Sequence, residues 1–264
     1  MRPGFAFAVA LVLAALECAA PGQARAADPP EAGAALEQGR LLEGAFDYQR
    51  AYATYRAAAL RDTTTYELWW RLAKTASDRG QRFEFDEQKP QAEAAYAEAV
   101  SAARRATRLG PDRWEGHAYL ASSLGRYALF EGGKARIRIS KEVKAEADRT
   151  IALNPRADLA YHVLARWNRG IAQLSFFEKT AAKVIYGGVP EGASMNNAVT
   201  LFERSIAIDP NYANHRLELG RTYLALGLKD KAREQLERAI ASPTKSPFDA
   251  EYKSEAQILL RKTH

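Results

Sequence analysis

The stretch "NYANHRLELGRTYLALGLKDKAREQLERAIASP", residues 211–243, decides the fold of this 264-residue chain. Its small and apolar residues recur at intervals of three and four, which is typical of amphipathic helices. Gly227 separates two such runs, 212–226 and 229–241, and Pro243 follows the second. The positions that we expect on the facing sides are Leu219, Gly220, Tyr223, Ala232, Leu236 and Ala239. The stretch therefore predicts a hairpin of two closely packed helices.

A related pattern recurs around Pro111, Pro155 and Pro210, each of which is followed nine residues later by a leucine and then by a small residue. The three stretches are "ATRLGPDRWEGHAYLA" (106–121), "TIALNPRADLAYHVLA" (150–165) and "SIAIDPNYANHRLELG" (205–220). Because proline cannot continue a helix, each stretch predicts the end of one helix and the start of the next. This arrangement is similar to the tetratricopeptide repeat, a helical hairpin that stacks on its neighbours.

The pattern extends over most of the chain. We expect an all-α, right-handed tetratricopeptide-like solenoid of about five helical hairpins, with a C-terminal capping helix over 248–262. An N-terminal helical pair is expected within 27–64, and the repeats within 65–264. Pro111 and Pro155 are 44 residues apart, and Pro155 and Pro210 are 55 residues apart. A standard tetratricopeptide repeat is about 34 residues long. The difference predicts two insertions within the repeats, at 126–140 and 174–194.

The first residues have the features of a secretory signal. Arg2 precedes an unbroken apolar run over 5–16, and Ala24 and Ala26 stand at the −3 and −1 positions of a signal-peptidase site. The run is too short to span a bilayer as a helix. We therefore expect residues 1–26 to be a signal peptide that is cleaved after Ala26, and the mature chain to be periplasmic or secreted without a transmembrane span.

Composition and motifs argue against several classes of protein. Cys18, the only cysteine, lies in the predicted signal peptide, so the mature chain has no thiol for disulfides, zinc or catalysis. The net charge of +6 is spread along the chain and does not indicate a nucleic-acid partner. The sequence has no His-Glu-x-x-His or Gly-x-Ser-x-Gly motif, and no histidine pair has metal-ligand spacing. We therefore expect that the protein is not an enzyme and that it has no cofactor and no metal site.

Two longer stretches resemble the regulator of microtubule dynamics family. "GRYALFEGGKARIRISKEVKAEADRTIALNP" (125–155) has that family's Gly-rich turn, Lys-x-x-Ile step, Lys-Glu helix and Ile-x-Leu-Asn-Pro stop. "LARWNRGIAQLSFFEKTAAKVIYGGVPEGASMNNAVTLFERSIAIDP" (164–210) has its Trp-bearing helix, extra apolar helix and Gly/Pro break. The resemblance covers roughly 65–262. It implies a link to microtubules in eukaryotes, where one member tethers membranes and binds phospholipid through its repeats. An exported chain would meet no tubulin. Of the roles that the resemblance implies, a lipid- or membrane-associated role is therefore the one that we expect for this chain.

The insertion at 174–194 has two interpretations. Its apolar residues fall on one helical face, and they are Phe176, Phe177, Thr180, Ala181, Val184 and Ile185. The helix either fills the gap left by a lengthened repeat or folds over the concave face and closes an apolar cavity for an acyl chain, sterol or peptide. Phe176, Phe177, Val184 and Ile185 are the candidate binding residues in the second interpretation.

The preceding helix, predicted over 157–175, supplies basic candidates. We expect His162, Arg166 and Arg169 to face the groove, and Arg221 to extend the same basic strip from the next hairpin. Basic groups beside an apolar pocket suit a phosphate or carboxylate head attached to a tail. The alternative is that the two arginines of 157–175 pair in solvent with Asp158 or Glu178.

These features support two functional hypotheses. The first is a non-enzymatic scaffold of the bacterial envelope that binds an unknown protein or peptide through the concave face of the solenoid. The second is a lipid-binding or lipid-transfer module, in which the 176–185 helix closes an apolar cavity around a phospholipid or another amphiphile. A peptide groove should be open with a polar rim, whereas a lipid site should be closed and mostly apolar.

Overall fold

The computed structural model describes residues 30–175, 180 and 192–263, and all regular secondary structure within them is helical. The predicted signal peptide, with its cleavage after Ala26, lies outside these residues. So do four of the predicted binding residues, Phe176, Phe177, Val184 and Ile185. None of the described helices is both long and apolar enough to cross a membrane.

The described residues form eleven α-helices. These are α1 Pro30–Gly44, α2 Tyr48–Arg61, α3 Tyr66–Phe85, α4 Lys89–Leu109, α5 Trp114–Tyr127, α6 Gly133–Leu153, α7 Asp158–Ala172, α8 Met195–Ile208, α9 Ala213–Ala225, α10 Lys229–Ala241 and α11 Asp249–Leu260. Consecutive helices pack as five antiparallel pairs, from α1 with α2 to α9 with α10, and α11 packs on α9 and α10. The predicted all-α solenoid of about five hairpins with a capping helix is confirmed.

The prolines separate the hairpins as predicted. Helices α4, α6 and α8 end just before Pro111, Pro155 and Pro210, with one capping residue between the last helical residue and each proline. Asn154, for example, has φ −143° and ψ 95°, the extended conformation that a following proline favours. Its N–H donates to the carbonyl of Thr150 at 2.8 Å, which closes the last turn. The next first helix then begins within three residues of each proline.

Glycine permits the close approach of the two helices in a hairpin. A Cβ atom on Gly220 of α9 would lie 2.8 Å from the Leu236 side chain of α10. At Gly80 of α3 it would lie 2.7 Å from the Tyr96 ring of α4. Ala121 of α5 holds the place of Gly220, directly after the repeat's leucine, and is fully buried. Small residues at such contact positions therefore permit the short distance between the two helices.

The insertion predicted at 126–140 mainly lengthens a helix. Helix α5 continues to Tyr127, a turn follows, and α6 begins at Gly133 and runs for 21 residues. Arg136 stabilises the turn by donating to the carbonyls of Ala128 at 3.1 Å and Glu131 at 3.0 Å. The helix predicted over 157–175 ends at Ala172, and most of the 174–194 insertion lies outside the described residues.

The capping helix reaches back to the first half of the chain. The Phe248 ring lies 5.5 Å from the Tyr48 ring of α2 and 5.9 Å from the Phe85 ring of α3, measured between centroids. Tyr252 completes this group through edge contacts with both phenylalanines. We call these four residues the aromatic clasp. Because the clasp joins the two ends of the solenoid, the concave face surrounds a cavity.

Candidate functional site

The concave face encloses a cavity of about 820 Å³. The first helices of four hairpins, α3, α5, α7 and α9, supply its walls together with α6 and α11. Its apolar lining residues include Val143, Leu159, Val163, Trp167, Ile171 and Leu174. A second cavity of about 290 Å³ adjoins it, and Arg126 and Arg166 line both. Charged groups therefore stand where the two cavities meet, beside an apolar wall.

Arg169 is engaged in a buried ion pair. Its Nη1 donates to the Glu218 carbonyl at 2.9 Å and to Thr222 Oγ1 at 3.1 Å, and its Nη2 pairs with the Glu218 carboxylate. Both side chains are largely buried, with 14% of Arg169 and 4% of Glu218 exposed. The solvent pairing with Asp158 considered for Arg169 is not observed, since the guanidinium bonds to the next hairpin, and Glu178 lies outside the described residues. Arg169 thus holds α7 against α9.

Arg221 is also paired. Its Nη1 donates to Glu218 Oε1 at 3.0 Å, and its Nη2 pairs with Glu255 of α11. Burial alone would raise the pKa of Glu218, but the charges of Arg166, Arg169 and Arg221 outweigh it and hold that pKa well below its usual range. Glu218 is therefore ionised at the centre of the site. Its ion pairs with Arg169 and Arg221 connect α7 and α9, and Arg221 extends the connection to the capping helix.

Arg126 reaches the site from α5. Its Nη1 pairs with Glu84 at 3.2 Å, and its Nη2 donates to Gln81 Oε1 at 3.4 Å. Burial opposes its charge, but the negative charges nearby, with Glu84 among them, raise the pKa of Arg126 above its usual value. Sequence analysis did not select Arg126, Glu84 or Glu218, although Glu218 lies three residues before Arg221 at helical ion-pair spacing.

Arg166 differs from its neighbours because it makes no hydrogen bond or ion pair with any residue that the structure describes. It lies one turn from His162 on α7, and its guanidinium is partly open to the cavities. Burial lowers the pKa of Arg166, and the charge of Arg126 lowers it further. Glu218 and Glu84 act in the opposite direction. An arginine stays protonated under such shifts, so Arg166 keeps its positive charge without a hydrogen bond to a described residue.

The charges around Arg166 do not cancel. Four arginines meet three glutamates at the junction of the cavities, and these are Arg126, Arg166, Arg169 and Arg221 with Glu84, Glu218 and Glu255. Of these four arginines, Arg166 is the one that forms no ion pair with a described residue, although its charge helps to keep Glu218 ionised. The arrangement therefore suits the binding of one negative charge.

His162 belongs to a buried hydrogen-bond chain. The Nε2 atom of His215 lies 2.9 Å from Asp158 Oδ2, and the Nδ1 atoms of the two histidines lie 2.9 Å apart. Because a carboxylate only accepts, His215 donates from Nε2 to Asp158, and one hydrogen bond joins the Nδ1 atoms of the two histidines. Burial lowers the pKa of His162, and the charges of His215 and Arg166 add to the effect.

The structure thus brings together four of the predicted binding residues, His162, Arg166, Arg169 and Arg221, but gives them different roles. Arg169 and Arg221 bind Glu218, whereas His162 and Arg166 line the cavity. Among the residues described, no group of three or more His, Asp or Glu side chains is placed to hold a metal ion.

Comparison with known proteins assigns the family. The family model described as "Regulator of microtubule dynamics protein 1-3" matches residues 36–264. The chain belongs to this family. The resemblance predicted from its two insertions is confirmed, and the family match also includes most of the N-terminal hairpin.

Curated family members share a modest identity with this chain. Regulator of microtubule dynamics protein 1 of Bos taurus is 29% identical over 227 residues, which cover 86% of this chain and 70% of the relative. Protein 3 of Bos taurus is 27% identical over 194 residues, which cover 73% of this chain and 40% of the relative. The chain thus spans less than half the length of the protein 3 relative.

Solved structures support the fold. A thermophilic tetratricopeptide-repeat protein of Thermus thermophilus has a TM-score of 0.62 against this chain at 15% identity, covering 87% of this chain and 99% of that one. At this identity the likeness shows the fold, a stack of tetratricopeptide hairpins.

Proposed function

We propose that this chain is a non-enzymatic scaffold that binds a protein or peptide segment in its concave cavity. The observation that carries the proposal is the guanidinium of Arg166, which makes no hydrogen bond with any described residue, inside a cavity lined by the first helices of four hairpins. A partly buried charged group that lacks hydrogen bonds costs stability. A ligand group that pairs with Arg166 would offset this cost, so the cavity suits occupation by a partner.

The rest of the lining fits a peptide. Apolar side chains such as Val163 and Ile171 offer space for apolar side chains of a partner, while Ser77, Ser122 and Asn214 supply polar groups for its backbone. Binding sites for peptides and small ligands combine an apolar wall with a few placed polar groups in this way. The polar residues Ser77, Ser122 and Asn214 lie on three of the first helices that line the cavity, so regular secondary structure holds them in place.

Site-directed photo-cross-linking tests the scaffold function. Gly125 lines the cavity, and a Cβ atom there would meet no atom within 4 Å, so it is the position chosen for p-benzoylphenylalanine. Gly33 of α1 has the same free space but lies outside the cavity lining, and it serves as the matched control. We expect the Gly125 probe in cells to form a peptide adduct that mass spectrometry maps to one segment of a partner. Equal adducts from Gly33, or none from Gly125, would overturn the proposal.

We further propose that the scaffold works in the bacterial envelope. The support is the sequence of residues 1–26, with its apolar run and small residues before the predicted cleavage site. The relatives are named for microtubule dynamics, but an exported protein would not meet tubulin, and that role is not proposed for this chain. Fractionation of the source cells and the intact mass of the mature protein test the location, with Ala27 as the expected first residue.

A second candidate is the binding of a phospholipid or another amphiphile. The observation that favours it is the apolar side of the cavity, which has room for an acyl chain beside Arg166. Native mass spectrometry of protein purified from its own envelope, followed by lipid extraction, tests it. A stoichiometric lipid that is lost in an Arg166→Met variant would favour this function over the peptide scaffold.

A further inference from the structure

A buried pair of histidines joins α7 to α9. His162 of α7 is 5% exposed and His215 of α9 is fully buried, and their Nδ1 atoms lie 2.9 Å apart. The other ring nitrogen of His215, Nε2, lies 2.9 Å from Asp158 Oδ2 at the start of α7. Two side-chain contacts between these helices therefore depend on rings that exchange protons near neutral pH.

The geometry limits the number of protons that the pair can hold. A hydrogen bond between two nitrogens needs one N–H and one lone pair. One of the two Nδ1 atoms is therefore unprotonated, and the pair as a whole carries at most one positive charge. If both rings were imidazolium, two N–H groups would point at each other across 2.9 Å, and repulsion would replace the hydrogen bond between the helices.

The neighbouring rings prevent the histidines from turning away to accept a second proton. The Phe202 ring of α8 lies 5.5 Å from the His162 ring, between centroids and edge to face. Tyr212, the residue before α9, makes the same kind of contact with His215 at 4.8 Å. A closely packed interior leaves no room for a rotated ring. Uptake of the second proton therefore requires α7 and α9 to move apart.

Charged side chains of three helices act on the pair. Burial is the main effect that lowers the pKa of His162, and the charges of His215 and Arg166 add to it, with a smaller effect from Arg126 of α5. Glu218 of α9 acts in the opposite direction. The balance disfavours a second positive charge on the pair, in agreement with the geometry.

The titratable groups of the other elements around the pair do not compete with it in mild acid. Burial raises the pKa values of Tyr212 and of its neighbour Tyr252 on α11, so both stay neutral. Glu146 of α6 binds another histidine. Burial also raises the pKa of Asp78 on α3, but this carboxylate bonds to Lys74 of the same helix. Its protonation therefore breaks no contact between hairpins.

We propose that the His162–His215 pair is an acid-sensitive latch, which holds α7 to α9 at neutral pH and releases them in mild acid when both rings are protonated. His162 of α7 and Asn214 of α9 both line the cavity, so release opens the cavity wall. The inference goes beyond the proposed binding function, because it concerns the shape of the solenoid and does not depend on what the cavity holds.

The ion pair of Arg169 marks the point at which the two hairpins stay attached. Arg169 lies two turns after His162 on α7 and pairs with Glu218. The pKa of Glu218 is held well below its usual range by the surrounding arginines, so this carboxylate stays ionised in the acid that protonates both histidines. The release is therefore local to the first half of α7.

Hydrogen exchange of the full chain between about pH 7 and pH 4.5, corrected for the intrinsic pH dependence of exchange, tests the latch. A repeat hairpin that loses its neighbour cannot bury its apolar face, so release should expose amides of α7 and α9. The released form binds at least one proton more than the joined form. Protection of these amides should therefore fall about tenfold for each pH unit below about 6.5. Amides of α3 and α4 in the same chain should lose less.

His162→Gln is the matched variant. A glutamine carbonyl accepts from protonated His215, so only one titrating ring remains and the contact survives in acid. The amides of α7 and α9 should then lose most of their pH dependence. His117→Gln makes the same change at a histidine of the α5–α6 hairpin and should leave the tenfold fall unchanged.

Imidazole ¹⁵N signals of the unaltered chain give a second measurement that needs no variant. We expect at most one imidazolium in the pair while α7 and α9 remain protected. Two imidazolium rings in a chain whose α7 and α9 amides are still protected would contradict the latch. So would an equal loss of protection in α3–α4 and α7–α9, or an acid dependence that His162→Gln leaves unchanged, since another group would then be responsible.

Discussion

Arg169 donates to the backbone carbonyl of Glu218 at 2.9 Å and pairs with its carboxylate, so that one guanidinium holds two successive hairpins together. Arg166, three residues earlier on the same helix, makes no such bond with any described residue. The two arginines are chemically identical and almost adjacent. They differ because Arg169 forms an ion pair with Glu218, whereas Arg166 forms no ion pair with any described residue. This difference has consequences for stability that can be measured.

Arg166→Met should lower the stability of the protein by less than Arg169→Met does, because Arg166 makes no hydrogen bond with a described residue although its charge helps to keep Glu218 ionised. Arg169→Met should lower it by about 3 kcal/mol, because it leaves the buried Glu218 carboxylate short of a partner. Urea denaturation of the two variants, with Arg108→Met as the control, measures both effects. Equal destabilisation by both variants would show that Arg166 is structural.

The contribution of His117 to the stability of the protein should decrease as the pH rises. Its Nδ1 lies 2.6 Å from Glu146 Oε2 and its Nε2 lies 3.0 Å from the Pro111 carbonyl, so both nitrogens face acceptors and the protonated ring satisfies both. The hydrogen bond to Glu146 raises the pKa of His117, against the opposing effect of burial. Its stabilisation is therefore complete below the unfolded pKa of about 6.5 and is lost as the pH rises through the folded pKa.

Urea denaturation between about pH 6 and pH 9 checks this behaviour of His117. The free energy of unfolding should fall with rising pH in the unaltered chain, and the fall should be smaller in His117→Gln. Parallel curves for the two proteins would contradict the protonated state that the geometry assigns.

His162 should show the opposite titration. Burial, with help from His215 and Arg166, lowers its pKa, so the folded protein keeps this ring neutral where an unfolded histidine would bind a proton. Its contribution to stability is present above about pH 6.5 and is lost as the pH falls. The Cε1–H signal of His162, assigned with His162→Gln, should not titrate near pH 6.5. A midpoint at or above about 6.5 would contradict the neutral state of His162 in the folded protein.

Gly220→Ala should destabilise the last hairpin by about 1–3 kcal/mol, the usual cost of overpacking. The added methyl group would lie 2.8 Å from Leu236, which is fully buried and cannot move away freely. Gly33→Ala in α1 is the matched control, since nothing lies within 4 Å of its Cβ position. It should stabilise by about 0.5–1 kcal/mol through helix propensity. Thermal unfolding distinguishes the two, and a stable Gly220→Ala would mean that the hairpin does not need this contact.

The hairpins could be predicted from the sequence because their determinants are local. Pro155 stops a helix wherever it stands in a chain, and Gly220 with Leu236 follows from the spacing within a single repeat. The partner of Arg169 could not be predicted in the same way. Glu218 is 49 residues away, and the two meet only through the rotation of one hairpin relative to the next, which small differences in packing at every hairpin determine.

The same limit applies to the aromatic clasp. Phe248 was expected to begin a capping helix on the last hairpin, and the helix is there. Its contact with Tyr48, on the first hairpin of the chain, depends on the accumulated curvature of five hairpins. Periodicity describes each repeat but does not fix this curvature, so the shape of the cavity could be seen only in the structure.

The clasp leads to a prediction about shape. Phe248 is 2% exposed, and its ring lies between Tyr48 of α2 and Tyr252 of α11. Phe248→Ala should cost about 3–5 kcal/mol and separate the two ends of the solenoid. Small-angle scattering should then show a larger radius of gyration.

Two further variants separate opening from local unfolding. Tyr48→Ala removes the opposite side of the clasp and leaves the capping helix intact, so it should increase the radius of gyration with a smaller loss of stability. Ile258→Ala, on the exposed side of the same capping helix, should change neither quantity. If both clasp variants unfold at lower urea concentration while the radius of gyration of their folded state is unchanged, the clasp stabilises the capping helix alone. The curvature of the hairpins, set by contacts such as that of Arg169 with Glu218, would then be sufficient to enclose the cavity.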